Sequence, residues 1–154
     1  MINILKNFYP STWDKNQNYS NKTYQLIELS RNSIEFRNVA ISFPPNAVVK
    51  IWRIQNPYIL GAYLLRKNQI EHRQGSISEI TKYHTVHQSD LEVALEYNLD
   101  SRRYRYNNRR IPQLDESLPF INTNHYCIVC KVLTRNEPFE TERLPEYVLE
   151  FNSN

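Results

Sequence analysis

Two histidines three residues apart, His84 and His87 in KYHTVHQSDLEVALEY, and two cysteines three apart, Cys127 and Cys130 in HYCIVCKVL, have the widest chemical reach in this chain. Imidazole and thiolate are the right donors for a four-coordinate zinc site. A histidine at a strand end just ahead of a helix could equally act as a base or line a nucleotide pocket, because helix N-terminal amides favour anionic groups. A third feature is RRYRYNNRR, Arg102 to Arg110, where five arginines interleave with two tyrosines. Such a segment can stack on bases and pair with phosphates, or it can be a solvated loop. Zinc is the weakest of these readings. CIVCKVL reads as continuous strand, in which positions three apart face opposite sides and no turn residue brings the sulfurs together. No metal is therefore expected.

The elements that must position these residues are readable in order. TYQLIEL is a first short strand. Phe36, Val39, Ala40 and Phe43 recur with helical spacing after Ser33 and before Pro44 and Pro45, which marks a helix with a start and a stop. AVVKIWRIQ has strand composition and ends at Asn56 and Pro57, where asparagine can cap and proline can open a helix that buries Ile59, Leu60, Tyr63 and Leu64 and ends by Gly75. EITKYHTV is the next strand. SDLE, residues 89–92, matches a capping box, so a helix is expected from Asp90 to about Asn98 with Leu91, Ala94 and Leu95 inward. HYCIVCKVL and PEYVLEF supply a central and a final strand, separated from the helix by a long polar stretch. Residues 1–24 are polar and Asn-rich and read as an N-terminal arm, with a single domain over 25–152.

A chain of 154 residues suits one core. With 40% hydrophobic and 12% aromatic residues it is too apolar for a disordered protein despite a mean hydropathy of -0.65. The net charge of +3 is mild and does not by itself announce a nucleic-acid binder. No run of about eighteen apolar residues suggests a membrane span, and two cysteines are too few for a disulfide framework. An intracellular protein, cytoplasmic or nuclear, is expected.

Taken in order, IELSRNSIEFRNVAISF, VVKIWRIQNPYILGAYLLRKNQI, KYHTVHQSDLEVALEYNLDSR, CKVL and LPEYVLEF resemble the catalytic domain of the poly(ADP-ribose) polymerase family, especially its mono-ADP-ribosylating members. The most specific piece is RIQNPYILGAY, Arg53 to Tyr63, and the resemblance spans roughly residues 26 to 151. It implies an α+β domain of the ADP-ribosyltransferase (PARP catalytic) fold with a split antiparallel sheet, reduced in size, that takes NAD as substrate and transfers ADP-ribose to a protein acceptor. His84 then corresponds to the family's ribose-binding histidine. Thr85 stands where the family has a glycine whose backbone holds the nicotinamide carboxamide, and Val86 where it has a threonine. The Gly-rich, tyrosine-bearing segment that sandwiches nicotinamide has no counterpart, leaving Tyr104 and Tyr106 as stacking candidates. The catalytic glutamate of polymerising members is not assignable, and Glu137 and Glu140 are candidates by proximity. Arg53, Gln55 and Asn56 are read as structural, satisfying backbone groups at a strand-to-helix junction. The resemblance points to a weak mono-ADP-ribosyltransferase or, preferably, an inactive relative with an eroded NAD site, and away from chain elongation. The alternatives are an RNA or poly(ADP-ribose) binding module using Arg102 to Arg110, and a zinc protein.

Overall fold

Two helix starts in this protein, those of α2 and α3, are set by side chains that stand in for missing backbone partners. The Ser33 hydroxyl accepts from the Phe36 amide and opens helix α2, Ile34–Ala40, which buries Phe36. Asn56 does the same for the longest helix, α3, Pro57–Gln74: its Oδ1 accepts from the amides of Tyr58 and Ile59 at 3.1 and 3.2 Å, and Pro57 occupies the first turn. Gly75, with φ of 82°, closes α3.

The chain is described here by a computed structural model for residues 2–99, 124–133 and 140–152. Helix α1, Ile2–Leu5, and a 3-10 turn at Lys6–Phe8 precede strand β1, Gln25–Glu28, and helix α2. Strand β2, Val48–Gln55, leads into α3, which is followed by β3, Ile80–His87. A 3-10 turn at Gln88–Asp90 then opens helix α4, Leu91–Tyr97. Strand β4, His125–Val132, a 3-10 turn at Glu140–Glu142 and strand β5, Arg143–Phe151, complete the order.

The fold is α+β. All five strands join one antiparallel sheet in the order β1-β2-β5-β4-β3. The expected split is not seen among the described residues, because β4 pairs along its whole length with β3 and also with β5. Alternation along the strands sends side chains into cores on either side. Ile54, Ile128 and Val148 pack with Ala94 and Leu95 of α4, whereas Ile51, Cys127 and Leu149 pack with Phe36 of α2. Each such fully buried aliphatic side chain contributes about 1.5–3 kcal/mol.

The N-terminal residues, read from sequence as a polar arm, pack onto α3. Tyr9 and Trp13 are buried with Leu60, Tyr63 and Leu144, and the Leu5 side chain sits so close to Gly61 that a Cβ there would come within 3.2 Å of it. Counting polar residues hid two large aromatics that dominate the burial.

Helix α4 starts one residue later than its capping box implied, and with a different cap. His87 Nδ1 accepts from the Ser89 amide at 3.2 Å and lies 2.8 Å from Ser89 Oγ, so the histidine caps the 3-10 turn, and Asp90 makes no side-chain cap to α4. Asn98, with φ of 67°, ends α4 and donates from Nδ2 to the Arg143 carbonyl.

Asn56 also joins two helices, since its Nδ2 donates to the Leu95 carbonyl at 2.9 Å. Asn56→Ala is expected to cost about 2 kcal/mol through the lost cap and the orphaned carbonyl, and Asn56→Asp, which keeps only the cap, about half of that. Urea unfolding monitored by circular dichroism measures both; equal losses would mean that the Leu95 bond carries nothing.

Candidate functional site

RIQN, Arg53 to Asn56, crosses from the middle of the sheet into α3, and each of its polar side chains is spent inside the protein. Arg53 binds Glu35 of α2 through two nitrogens, Nε at 2.8 Å and Nη2 at 2.5 Å. The same carboxylate accepts from Tyr147 Oη of β5 at 2.9 Å. Burial pushes the Glu35 carboxyl up, but the bonds from Arg53 and Tyr147 more than offset that and leave it below the usual carboxylate range. Arg53 Nη1 donates to Gln55 Oε1, which also accepts from the Asp14 amide, while Gln55 Nε2 donates to the Asp14 carbonyl. The structural role expected for these residues is what the geometry displays.

His84 lies on β3 opposite Ile128, on the sheet face covered by α4, and is completely buried. Neither ring nitrogen has a hydrogen-bond partner among the described residues. Burial, with Arg143 adding repulsion, holds its pKa down at about 3, so the ring is neutral at physiological pH. Thr85, its neighbour, pairs with Cys127 and faces the other side of the sheet. Because β3 is an edge strand, one row of its backbone groups has no strand partner among the described residues, which is the arrangement a carboxamide needs for backbone pairing.

Tyr104, Tyr106, Glu137 and the Arg102 to Arg110 segment lie outside the described residues. Glu140 opens the 3-10 turn before β5, where the Leu133 amide donates to the Glu142 carbonyl. That is beyond the Val132 end of β4, whereas His84 pairs four residues up the ladder, roughly 13 Å away along the strand. The structure does not bring these two together.

The cysteines behave as their strand predicts. Cys127 belongs to the core on the α2 face and Cys130 to the core on the α4 face. Burial pushes the Cys127 thiol up to about 12 and Cys130 likewise upward. No group of three or more His, Cys, Asp or Glu able to hold a metal occurs among the described residues. His87 instead stacks edge-on against His125 at 5.1 Å.

One polar cluster was missed. Between Val129 and Cys130 the β4–β5 register slips: Val129 pairs with Tyr147 and Cys130 with Pro145, so Glu146 is an extra residue in β5. The signal was Pro145, since a proline inside a central strand cannot donate to the ladder and marks a bulge. Lys131 Nζ lies 3.4 Å from Glu146 and 3.9 Å from Glu79, and Glu79 also binds Lys67 of α3. Burial raises the Glu79 carboxyl, but its bond from Lys67 more than offsets this and leaves it low; burial raises Glu146, and Lys131 only partly offsets it. The two carboxyls are thus shifted in opposite directions from the ordinary carboxylate range. Lys131→Met is expected to move the Glu146 carboxyl further up, visible in its side-chain NMR titration; an unchanged titration would mean the lysine does not screen it.

Comparison with family models finds none that matches this chain, and comparison with curated proteins finds no significant match. No helix among the described residues is long and apolar enough to cross a membrane.

Proposed function

We propose that this protein is a reduced relative of the PARP-like ADP-ribosyltransferases that acts through binding and does not itself transfer ADP-ribose. The state of His84 carries this reading: the residue that the resemblance assigns to the nicotinamide ribose is fully buried, neutral and without a hydrogen-bond partner among the described residues. An imidazole enclosed by a core has no face left for a ribose hydroxyl. The threonine and valine that follow it add bulk and remove a hydroxyl where the family places a glycine and a threonine. Support for the kinship comes from the Arg53, Gln55 and Asn56 network at the strand-to-helix junction and from the antiparallel sheet that joins PEYVLEF to the strand bearing CKVL. The alternative is a weak, NAD-dependent protein mono-ADP-ribosyltransferase that uses the open edge of β3 to hold nicotinamide.

Calorimetric titration decides between them. NAD added to about 1 mM is expected to give no saturable heat, and incubation with labelled NAD no automodification. A saturable isotherm together with label incorporation that His84→Ala abolishes would overturn the binding-only reading in favour of transfer.

A further inference from the structure

Residues 19–24, the start of α3 and the helix α4 border a cavity of about 410 Å³ whose wall includes Tyr19, Tyr24 and Tyr58 together with Glu92 and Glu96. The two glutamates are one helical turn apart on α4, a spacing at which like charges repel. Neither carboxylate makes a hydrogen bond or ion pair among the described residues. Lys22 is the one cation on this wall, and it sits elsewhere on it: its ammonium lies 4.8 Å above the Tyr24 ring. The wall therefore already holds an alkylammonium on an aromatic face while two carboxylates beside it stay uncompensated.

We propose that this cavity is a binding site for the ammonium group of a lysine side chain, free or methylated, presented by a partner peptide. Aromatic faces and unpaired carboxylates act on the same charge, the first through the ring quadrupole and the second by direct attraction. A volume of this size falls in the range of small-ligand pockets. A divalent metal would find two carboxylates and no third ligand, and the negative wall repels NAD, RNA and other phosphates. The site lies apart from His84 and does not depend on the function proposed above.

The test is an amide chemical-shift titration of the whole chain with Nα-acetyl-Nε-trimethyl-lysine methylamide, its unmethylated counterpart, the Nε-acetylated form and the arginine analogue. Saturable shifts at Tyr19, Tyr58, Glu92 and Glu96 with both charged lysine probes, and none with the neutral Nε-acetyl form, are expected. Tighter binding of the trimethyl form assigns a methylated partner, and equal binding any exposed lysine; either supports the site. Glu92→Gln combined with Glu96→Gln is expected to weaken binding roughly fivefold or more, and Tyr58→Leu to remove the preference for the trimethyl group. Tyr58 and Glu92 are exposed, so these variants should fold, as an unchanged spectrum elsewhere will verify. No saturable shift up to about 10 mM, equal shifts with the neutral probe, equal affinity for arginine, or affinity unaltered in the double variant would each overturn the proposal.

Discussion

Replacing Arg53 with methionine is expected to lower the unfolding free energy by about 3–5 kcal/mol. The side chains of Arg53 and Glu35 are only 12% and 18% exposed, so the substitution leaves a largely desolvated carboxylate with Tyr147 as its remaining donor. It also removes a bond to Gln55, whose amide fastens the segment around Asp14. Unfolding in urea, which does not screen charge, is the suitable measurement. Adding Glu35→Gln to Arg53→Met should recover a substantial part of the loss, because the uncompensated charge disappears. A loss below about 1 kcal/mol in the single variant would show the pair to be no better than a surface ion pair.

Acid should destabilise this protein well above the pH at which carboxylates protonate, and His84 should be the reason. Its folded-state pKa is about 3 against an ordinary 6.5. Above pH 6.5 the ring is neutral in both states and the stability is fully present. As pH falls through that value the unfolded chain takes up a proton that the folded chain refuses, so stability falls. The loss is about 2 kcal/mol at pH 5 and approaches about 4–5 kcal/mol near pH 3. Glu35 and Glu79, whose pKa values are lowered, lose their contributions only below the ordinary carboxylate range; Glu146, whose pKa is raised, works the other way. Between pH 7 and 5 the loss at His84 is therefore opposed only by Glu146, and a variant lacking the imidazole separates the two contributions. Stability measured there should slope in the native chain and flatten in His84→Leu, which also removes two unsatisfied buried nitrogens. Equal slopes in the two proteins would mean that another group is responsible.

Most of the elements after residue 24, and the ends set by local capping, are legible in the one-dimensional sequence. Ser33, Asn56 with Pro57, and Gly75 act on backbone within a few residues of themselves, so their capping chemistry is legible without knowledge of the rest. The opposed cysteines followed from strand periodicity alone, and the inward faces of α3 and α4 from helical periodicity. Local pattern failed where two local solutions competed: SDLE matches a capping box, yet His87 takes the Ser89 amide because the strand holds its ring beside that turn.

Everything that depends on partners distant in the chain was decided by the tertiary structure. Tyr9 and Trp13 became core residues only because α3 offers them an apolar face. Glu35 became the hub of Arg53 and Tyr147, residues 18 and 112 positions away. Glu146 met Lys131 and Glu79 because Pro145 displaces the β5 ladder by one residue. His84 is the sharpest case, since its type and position suggested a ligand contact and the packing of α4 over its face of the sheet made it a buried, neutral ring. Caps and periodicity are short-range and survive in a one-dimensional reading; burial and charge pairing are properties of surfaces that meet only when the sheet has formed, and they set what each polar side chain can do.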